Sequence, residues 1–254
     1  MATILVISGL DPSAGAGFLA DTRVACELGI RAVGVITAHT IQDTQGVREV
    51  VPVSVEVVEE QLRALLSDVE VHSVKIGMLG DAGAACVVAR ALAATAAPVV
   101  WDPVLMPSRG GTPLLIGDVS AATAALLPEV RVVVPNLAEA AALTGIEVRD
   151  LPGMREAAKR LRQRGARAVL VKGGHLMGPH AIDVLDDGGH IHELHGERFS
   201  AGPLHGTGCV LSTAIACALA TGDTLERAAR KAKDYVVQKL RAPLRVGRGA
   251  SCLV

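Results

Sequence analysis

The sequence of 254 residues contains few aromatic residues: two Phe, one Trp and one Tyr. Half of its residues are nevertheless apolar, so a sizeable core must consist of Ala, Val, Leu and Ile. The sequence also lacks an excess of positive charge, because 25 Lys and Arg residues are balanced by 26 Asp and Glu residues. We therefore expect no broad basic face for nucleic acid.

Paired cysteines are lacking as well. The five cysteines are scattered and include no CxxC motif, which indicates reduced thiols in the cytoplasm rather than a disulfide framework. The N-terminal segment MATILVISG has no charged region and no cleavage site, so it is typical of a strand and not of a signal peptide. No uninterrupted apolar run is long enough to span a membrane. We expect a cytoplasmic protein without nucleic-acid or membrane partners.

Short apolar runs alternate with helical segments along the whole chain. Runs such as Ile4–Ser8 and Ala168–Lys172 predict buried strands, segments such as Val55–Leu66 predict helices, and the turn Asp186–Gly189 predicts a hairpin. This alternation predicts an α/β fold in which helices cover both faces of a parallel sheet, in one domain of residues 1–254. Ligands of such sheets bind at the carboxyl ends of the strands, where this chain has its glycines and polar residues.

The most informative segment is Gly202–Gly222, with the sequence GPLHGTGCVLSTAIACALATG. Its turn Gly206-Thr207-Gly208-Cys209 leads directly into an alanine-rich helix. The unpaired N–H groups and the positive dipole end at the start of a helix favour an anion. Cys209 lies in the first turn, where the dipole would favour its thiolate. We interpret this turn as a site of phosphoryl transfer.

Charged and amide side chains follow three other strands. Asp102 suits Mg²⁺ or a catalytic lysine, or it forms a helix cap or a salt bridge. Lys172 precedes two glycines and suits a transferring phosphate. Asn136 and Glu139 share one helical face, where they either hold Mg²⁺ through water or form a capping box. The motif GxxxxGK[ST] is absent, so this is not a P-loop protein.

The segment Ser8–Asp21 is a glycine-rich loop between a strand and a helix. It contains the pattern GxGxxA, which indicates a dinucleotide site, but no acidic residue follows the second strand. The alternatives are a bare turn and a small-molecule pocket. Gln42 offers an acceptor beside a donor and so matches the edge of an aminopyrimidine, or it lies in a surface loop. Met78 packs either on a flat ring or in the core.

Seven segments occur in the order found in one enzyme family: SGLDPSAGAGFLAD, ITAHTIQDTQGV, KIGML, DPVL, PNLAEAAALTG, VLVKGGHL and HGTGCVLSTAIA. In these segments the chain resembles the hydroxymethylpyrimidine and phosphomethylpyrimidine kinases of thiamine biosynthesis, within the ribokinase-like superfamily. The cysteine of HGTGC is specific, because most sugar kinases of the superfamily have an aspartate there. The resemblance implies a three-layer α/β/α fold with a central, mostly parallel sheet, ATP and Mg²⁺ as cofactors, and a homodimer.

The resemblance also implies roles for residues at matched positions. An anion hole would contain Gly206, Gly208 and Cys209; the ATP phosphates would contact Lys172 and Thr207; Mg²⁺ would be ordered by Asn136, Glu139 and Asp102; and the pyrimidine pocket would be lined by Gly9, Asp21, Gln42 and Met78.

The implied reaction is phosphorylation of 4-amino-5-hydroxymethyl-2-methylpyrimidine, of its monophosphate, or of both. Only the alcohol must lose a proton, so a Cys209 thiolate acting as base predicts that Cys209→Ala impairs the alcohol step more than the monophosphate step. Two alternatives remain open: a pyridoxal kinase, and a non-catalytic module that binds or senses a pyrimidine.

Overall fold

A computed structural model describes residues 1–107, 112–174, 176, 180–199 and 202–254. The strands in these ranges are β1 (Thr3–Leu10), β2 (Arg31–Asp43), β3 (Gly46–Pro52), β4 (Ser73–Ile76), β5 (Gly80–Asp81), β6 (Val99–Trp101), β7 (Leu115–Ile116), β8 (Val132–Val133), β9 (Ala168–Val171), β10 (His180–Asp187), β11 (His190–Glu197), β12 (Leu204–His205) and β13 (Ser251–Cys252). The helices are α1 (Gly17–Glu27), α2 (Val55–Asp68), α3 (Ala82–Leu92), α4 (Val119–Leu126), α5 (Leu137–Thr144), α6 (Leu151–Gln163), α7 (Thr207–Ala220) and α8 (Leu225–Leu240).

Nine of these strands form one sheet in the order β11-β10-β9-β8-β6-β4-β1-β2-β3. The six strands from β9 to β2 are parallel to one another. An antiparallel strand, β3, closes one edge, and the antiparallel pair β10 and β11 closes the other. The carboxyl ends of the six parallel strands therefore meet along one edge of the sheet, where the predicted site residues Met78, Asp102, Asn136 and Lys172 follow them.

Both faces of the sheet are buried, because its central strands are apolar at successive positions. In β1, Leu5 and Ile7 contribute to the core on one face, while Ile4 and Val6 face the opposite side, and all four are inaccessible to solvent. Helices α2 to α6 pack on the first face, and α1, α7 and α8 pack on the second. This arrangement confirms the predicted three-layer α/β/α class.

The hairpin predicted around Asp186–Gly189 is confirmed as β10 and β11. The apolar run Ala32–Ala38 predicts a second strand, but β2 is longer, because it continues to Asp43 and pairs with β3. Gln42 consequently lies in a strand, and the alternative that placed it in a surface loop is wrong. The pairing with β3 lets the polar end of β2 stay extended.

Residues near the end of the chain form a strand that pairs with the segment before α7. Strand β13 pairs in parallel with β12, and Ala250 donates a backbone hydrogen bond to the carbonyl of Thr44 at the turn between β2 and β3. Residues near the end of the chain thus connect the turn between β2 and β3 to β12, the strand that precedes α7. Among the described helices, none combines the length and the apolarity that crossing a bilayer requires.

Candidate active site

A cavity of about 420 Å³ opens at the carboxyl ends of the parallel strands. All but one of the residues predicted for the site line it: Gly9, Gln42, Met78, Asp102, Asn136, Glu139, Lys172, Gly206, Thr207, Gly208 and Cys209. These residues come from segments that are far apart in sequence. The topology of the sheet is therefore what brings them together.

The start of α7 forms one wall of the cavity. Gly206 is the N-cap residue and has φ +82°, a left-handed conformation that glycine adopts without strain. A Cβ atom at this position would overlap the carbonyl oxygen of Gly15. In the described chain no side chain caps α7, so its first N–H groups are available to an anion in the cavity.

Lys172 brings a positive charge to this wall. Its Nζ lies 2.6 Å from Asp102 Oδ1 and 3.8 Å from Glu139 Oε2. Burial alone would lower the pKa of Lys172, but the two carboxylates outweigh burial and raise it above the ordinary value. A Cβ on Gly208 would lie only 3.0 Å from this Nζ and 3.3 Å from Asp102 Oδ2. Glycine at position 208 therefore keeps the lysine and the helix start in close proximity.

Asn136 and Glu139 form the capping box of α5. Asn136 Oδ1 accepts a hydrogen bond from the Glu139 N–H at 2.9 Å, and Glu139 Oε2 accepts one from the Asn136 N–H at 2.7 Å. Burial, together with the nearby charge of Asp102, raises the pKa of Glu139 to about 7, although Lys172 opposes the shift. The two carboxylates outnumber the one lysine, so this corner of the cavity favours an added cation.

A second polar cluster, formed by Asp11, Gln42 and His205, lines the same cavity. His205 Nε2 lies 2.8 Å from Asp11 Oδ2 and 2.9 Å from the amide nitrogen of Gln42. Burial raises the pKa of Asp11, but hydrogen bonds from His205 and Ser13 outweigh burial and bring it below the ordinary value. Asp11 is therefore a carboxylate that accepts a hydrogen bond from His205. This role of His205 was not predicted, and its position directly before the GTGC turn is the only sequence signal for it.

The same cluster fixes the orientation of the Gln42 amide. Because His205 Nε2 donates to Asp11, a second donor cannot face it, so the amide oxygen belongs on the histidine side. The Gln42 nitrogen then donates to Thr40 Oγ1, which lies 3.1 Å from the amide and donates its own proton to the carbonyl of Leu10. A donor and an acceptor of Gln42 remain available to a ring in the cavity.

Asp21 does not line the cavity, so its predicted place in the pyrimidine pocket is wrong. It is inaccessible to solvent and forms an ion pair with Lys75, at 2.5 Å between Oδ2 and Nζ. Its other oxygen accepts a hydrogen bond from Thr213 of α7 at 2.7 Å. A buried carboxylate requires such partners, and the sequence did not reveal that Lys75 points inward from β4.

The predicted ionisation of Cys209 is also wrong. The thiol lies in the first turn of α7, as expected, but burial raises its pKa to about 11, and the nearby Lys75 only partly opposes the shift. The dipole of the helix therefore does not produce a thiolate at neutral pH. His175, which completes the predicted KGGH segment, lies outside the described residues.

Comparisons with known proteins agree with this geometry. The family described as phosphomethylpyrimidine kinase matches residues 11–253. A hydroxymethylpyrimidine/phosphomethylpyrimidine kinase of Streptomyces coelicolor is 40% identical over 246 residues, which are 97% of this chain and 91% of that protein. The thiamine biosynthesis bifunctional protein ThiED of Geobacter sulfurreducens is also 40% identical, over 97% of this chain and 51% of its own length.

A solved structure has the same fold. The pyridoxal kinase from Staphylococcus aureus in complex with AMP-PCP superposes with a TM-score of 0.88 and 29% identity, over 99% of this chain and 92% of that chain. The fold is thus the ribokinase-like one that the resemblance implied.

The raised pKa of Cys209 leads to a direct test. The ultraviolet absorbance of thiolate, taken as the difference between the wild-type protein and Cys209→Ser, should show no titration step from about pH 6 to about pH 9, because burial keeps this thiol protonated there. A titration step between about pH 7 and about pH 9 that is present in the wild-type protein and absent in Cys209→Ser would show that the Cys209 thiolate forms near neutral pH. This measurement needs no reagent to enter the cavity.

Proposed function

Since this chain belongs to the phosphomethylpyrimidine kinase family, we propose that it transfers the terminal phosphoryl group of ATP to hydroxymethylpyrimidine and to its monophosphate, in thiamine biosynthesis. One observation carries the proposal. Lys172, Asp102 and the first amides of α7 line the same cavity as Gln42, so a phosphoryl donor and a heterocyclic acceptor can meet there.

The donor end of the cavity supplies positive charge. Lys172 and the N–H groups of Gly208 and Cys209 would stabilise the oxygens of the phosphoryl group as it moves. The transition state of phosphoryl transfer is loose and carries its charge on these oxygens. Alignment and charge neutralisation are therefore the main tasks of the protein.

The acceptor end recognises the ring. Gln42 presents its remaining donor and acceptor, which match a ring nitrogen beside an amino group. Met78 supports one face of the ring; a Cβ on Gly9 would lie 2.8 Å from its sulfur atom, so glycine leaves room for the thioether. The resulting pocket favours a small, flat aminopyrimidine.

Mg²⁺ fits the residues at the donor end. Asp102 and Glu139 would hold the ion through water. Direct coordination is less favoured because Asp102 is paired with Lys172 and Glu139 accepts a hydrogen bond from the Asn136 backbone. Asn136 keeps Glu139 in place. When bound with ATP, the ion supplies charge that neutralises the triphosphate. The raised pKa of Glu139 supports this assignment, because a cation would relieve the excess of negative charge.

The alcohol must lose a proton in the first transfer, whereas the monophosphate is already ionised. A Cys209 thiol with a pKa of about 11 is protonated at neutral pH, so it does not accept this proton. We infer that the proton leaves late, to an oxygen of the transferred phosphoryl group. Cys209 then acts in both transfers through its backbone N–H.

Pyridoxal phosphorylation is the second candidate activity. It is supported by the structural similarity to the pyridoxal kinase from Staphylococcus aureus. The lower identity of that protein, 29% against 40% for the Streptomyces coelicolor relative, makes it the weaker candidate. A non-catalytic sensor is disfavoured, since it would need neither Lys172 nor Asp102.

We further propose a single kinase domain that forms a homodimer in the cytoplasm. Exposed apolar side chains on the edge hairpin, Ile41 and Val51, support self-association. The five cysteines are all unpaired, which supports a reducing compartment.

The proposal predicts two products. With ATP, ³¹P NMR should show a monoester from hydroxymethylpyrimidine and a diphosphate from its monophosphate, and pyridoxal should react more slowly than either. Lys172→Met should lower kcat/KM for both transfers on the order of 100-fold, because it removes a donor to the developing charge.

Lys159→Met is the control, since Lys159 is exposed on α6, and it should leave both rates unchanged. Faster phosphorylation of pyridoxal than of either pyrimidine would favour the second candidate. Ligand binding without formation of ADP would refute the proposed function.

Cys209→Ala tests the role of the thiol. Because the thiol is already protonated and Ala keeps the backbone N–H, the substitution should change kcat/KM for the alcohol and for the monophosphate by the same factor. The ratio of the two values is the measurement. A loss confined to the alcohol step would mean that the thiolate forms in the substrate complex and accepts the proton.

A further inference from the structure

We propose that Asp183 is a positioning residue for nucleotide turnover, because it holds the backbone amide that follows Lys172. Lys233 keeps Asp183 in the orientation that this hydrogen bond requires. The inference rests on the proposed function, in which Lys172 contacts the ATP phosphates.

Both oxygens of the Asp183 carboxylate are occupied. Oδ1 accepts a hydrogen bond from the Gly173 N–H at 2.8 Å, and Oδ2 pairs with Lys233 Nζ at 2.6 Å. Asp183 lies on β10 and Lys233 lies on α8, and their relative exposures are only 6% and 7%. Neither residue lines the cavity of the candidate active site, so each can affect the reaction only through other groups.

The carboxylate holds the backbone on one side of Lys172, and a second contact holds it on the other. The N–H of Lys172 donates to the carbonyl of Pro135 at 2.8 Å, and the next N–H, that of Gly173, donates to Asp183. Two consecutive amides are thus fixed by different segments of the chain. The Lys172 Cα lies between them, so the direction from which its side chain reaches Asp102 is set by both bonds.

Two glycines make this arrangement possible. A Cβ on Gly173 would overlap the carbonyl oxygen of Ile182 on β10, so only glycine brings the loop this close to Asp183. A Cβ on Gly196 would lie 2.6 Å from Lys233 Cε. Gly196 therefore leaves the space on β11 through which the lysine side chain reaches the carboxylate.

The ion pair is costly to bury, and stability alone does not explain it. Buried ion pairs can often be replaced by apolar side chains of similar volume without loss of stability. The property that an apolar replacement would lose here is the acceptor for Gly173 N–H. We therefore assign the function of the pair to that acceptor rather than to its charges.

Two double variants separate these contributions. Asp183→Asn with Lys233→Gln removes both charges and keeps an amide oxygen for Gly173, whereas Asp183→Leu with Lys233→Met removes the acceptor as well. The first should retain most of the wild-type kcat/KM for ATP. The second should raise KM for ATP and lower kcat. Together these changes should lower kcat/KM for ATP by roughly ten- to a hundredfold, as expected for a small misplacement of a catalytic group. KM for the pyrimidine should change little in both.

Hydrogen exchange at the Gly173 amide gives a readout apart from activity. It should be fast in the Leu/Met variant and slow in the Asn/Gln variant and the wild-type protein. Arg131→Met with Asp187→Asn is the control, since this half-buried pair also joins β10 to the sheet but does not contact the loop. It should leave ATP kinetics unchanged.

Unchanged ATP kinetics in a folded Leu/Met variant would overturn the inference. If that variant does not fold, Gly196→Ala provides the milder test: displacement of the Lys233 side chain should speed exchange at Gly173 and raise KM for ATP, and wild-type values for both would overturn the inference. A wild-type enzyme without kinase activity would refute the proposed function instead, and exchange at Gly173 would still decide whether Asp183 holds the loop.

Discussion

The ion pair between Lys172 and Asp102 is the interaction on which the site depends. Its lysine side chain is 14% exposed and its carboxylate 2%, so both charges have lost most of their hydration and compensate each other. Glu139 adds a second negative charge nearby and has a pKa raised to about 7. In the proposed reaction this corner is organised for a cation and a phosphate before either binds, which reduces the reorganisation needed during transfer.

The fold provides this organisation through strand ends rather than through one local motif. Asp102 and Lys172 directly follow strands β6 and β9, and the N-terminus of α7 lines the same cavity. Gly208 permits the approach, because a larger residue would crowd Lys172 Nζ. The proposed acceptor end has its own network, in which Asp11 and His205 orient Gln42. The two ends are linked covalently, since His205 directly precedes the turn that opens α7.

Much of the fold and most of the cavity lining could be predicted from the sequence, because polar residues directly after apolar strands must gather at one sheet edge. The failures have physical causes. Asp21 lies one helical turn into α1, and no sequence pattern shows that it turns away from the cavity to meet Lys75. The ionisation of Cys209 was predicted from the helix dipole alone, but burial has the larger effect on its pKa. The contact between Asp183 and Lys233 joins residues 50 positions apart, a distance at which neither residue predicts the other.

In the proposed reaction, the first amides of α7 and Lys172 bind the phosphoryl group while Gln42 binds the acceptor ring. The most direct test is a crystal structure of the enzyme with AMP-PCP, Mg²⁺ and hydroxymethylpyrimidine. We expect the terminal phosphate within hydrogen-bonding distance of Lys172 Nζ and of the N–H groups of Gly208 and Cys209, with the amino edge of the ring on Gln42. A terminal phosphate bound away from the start of α7, with Lys172 making no contact to it, would contradict the account.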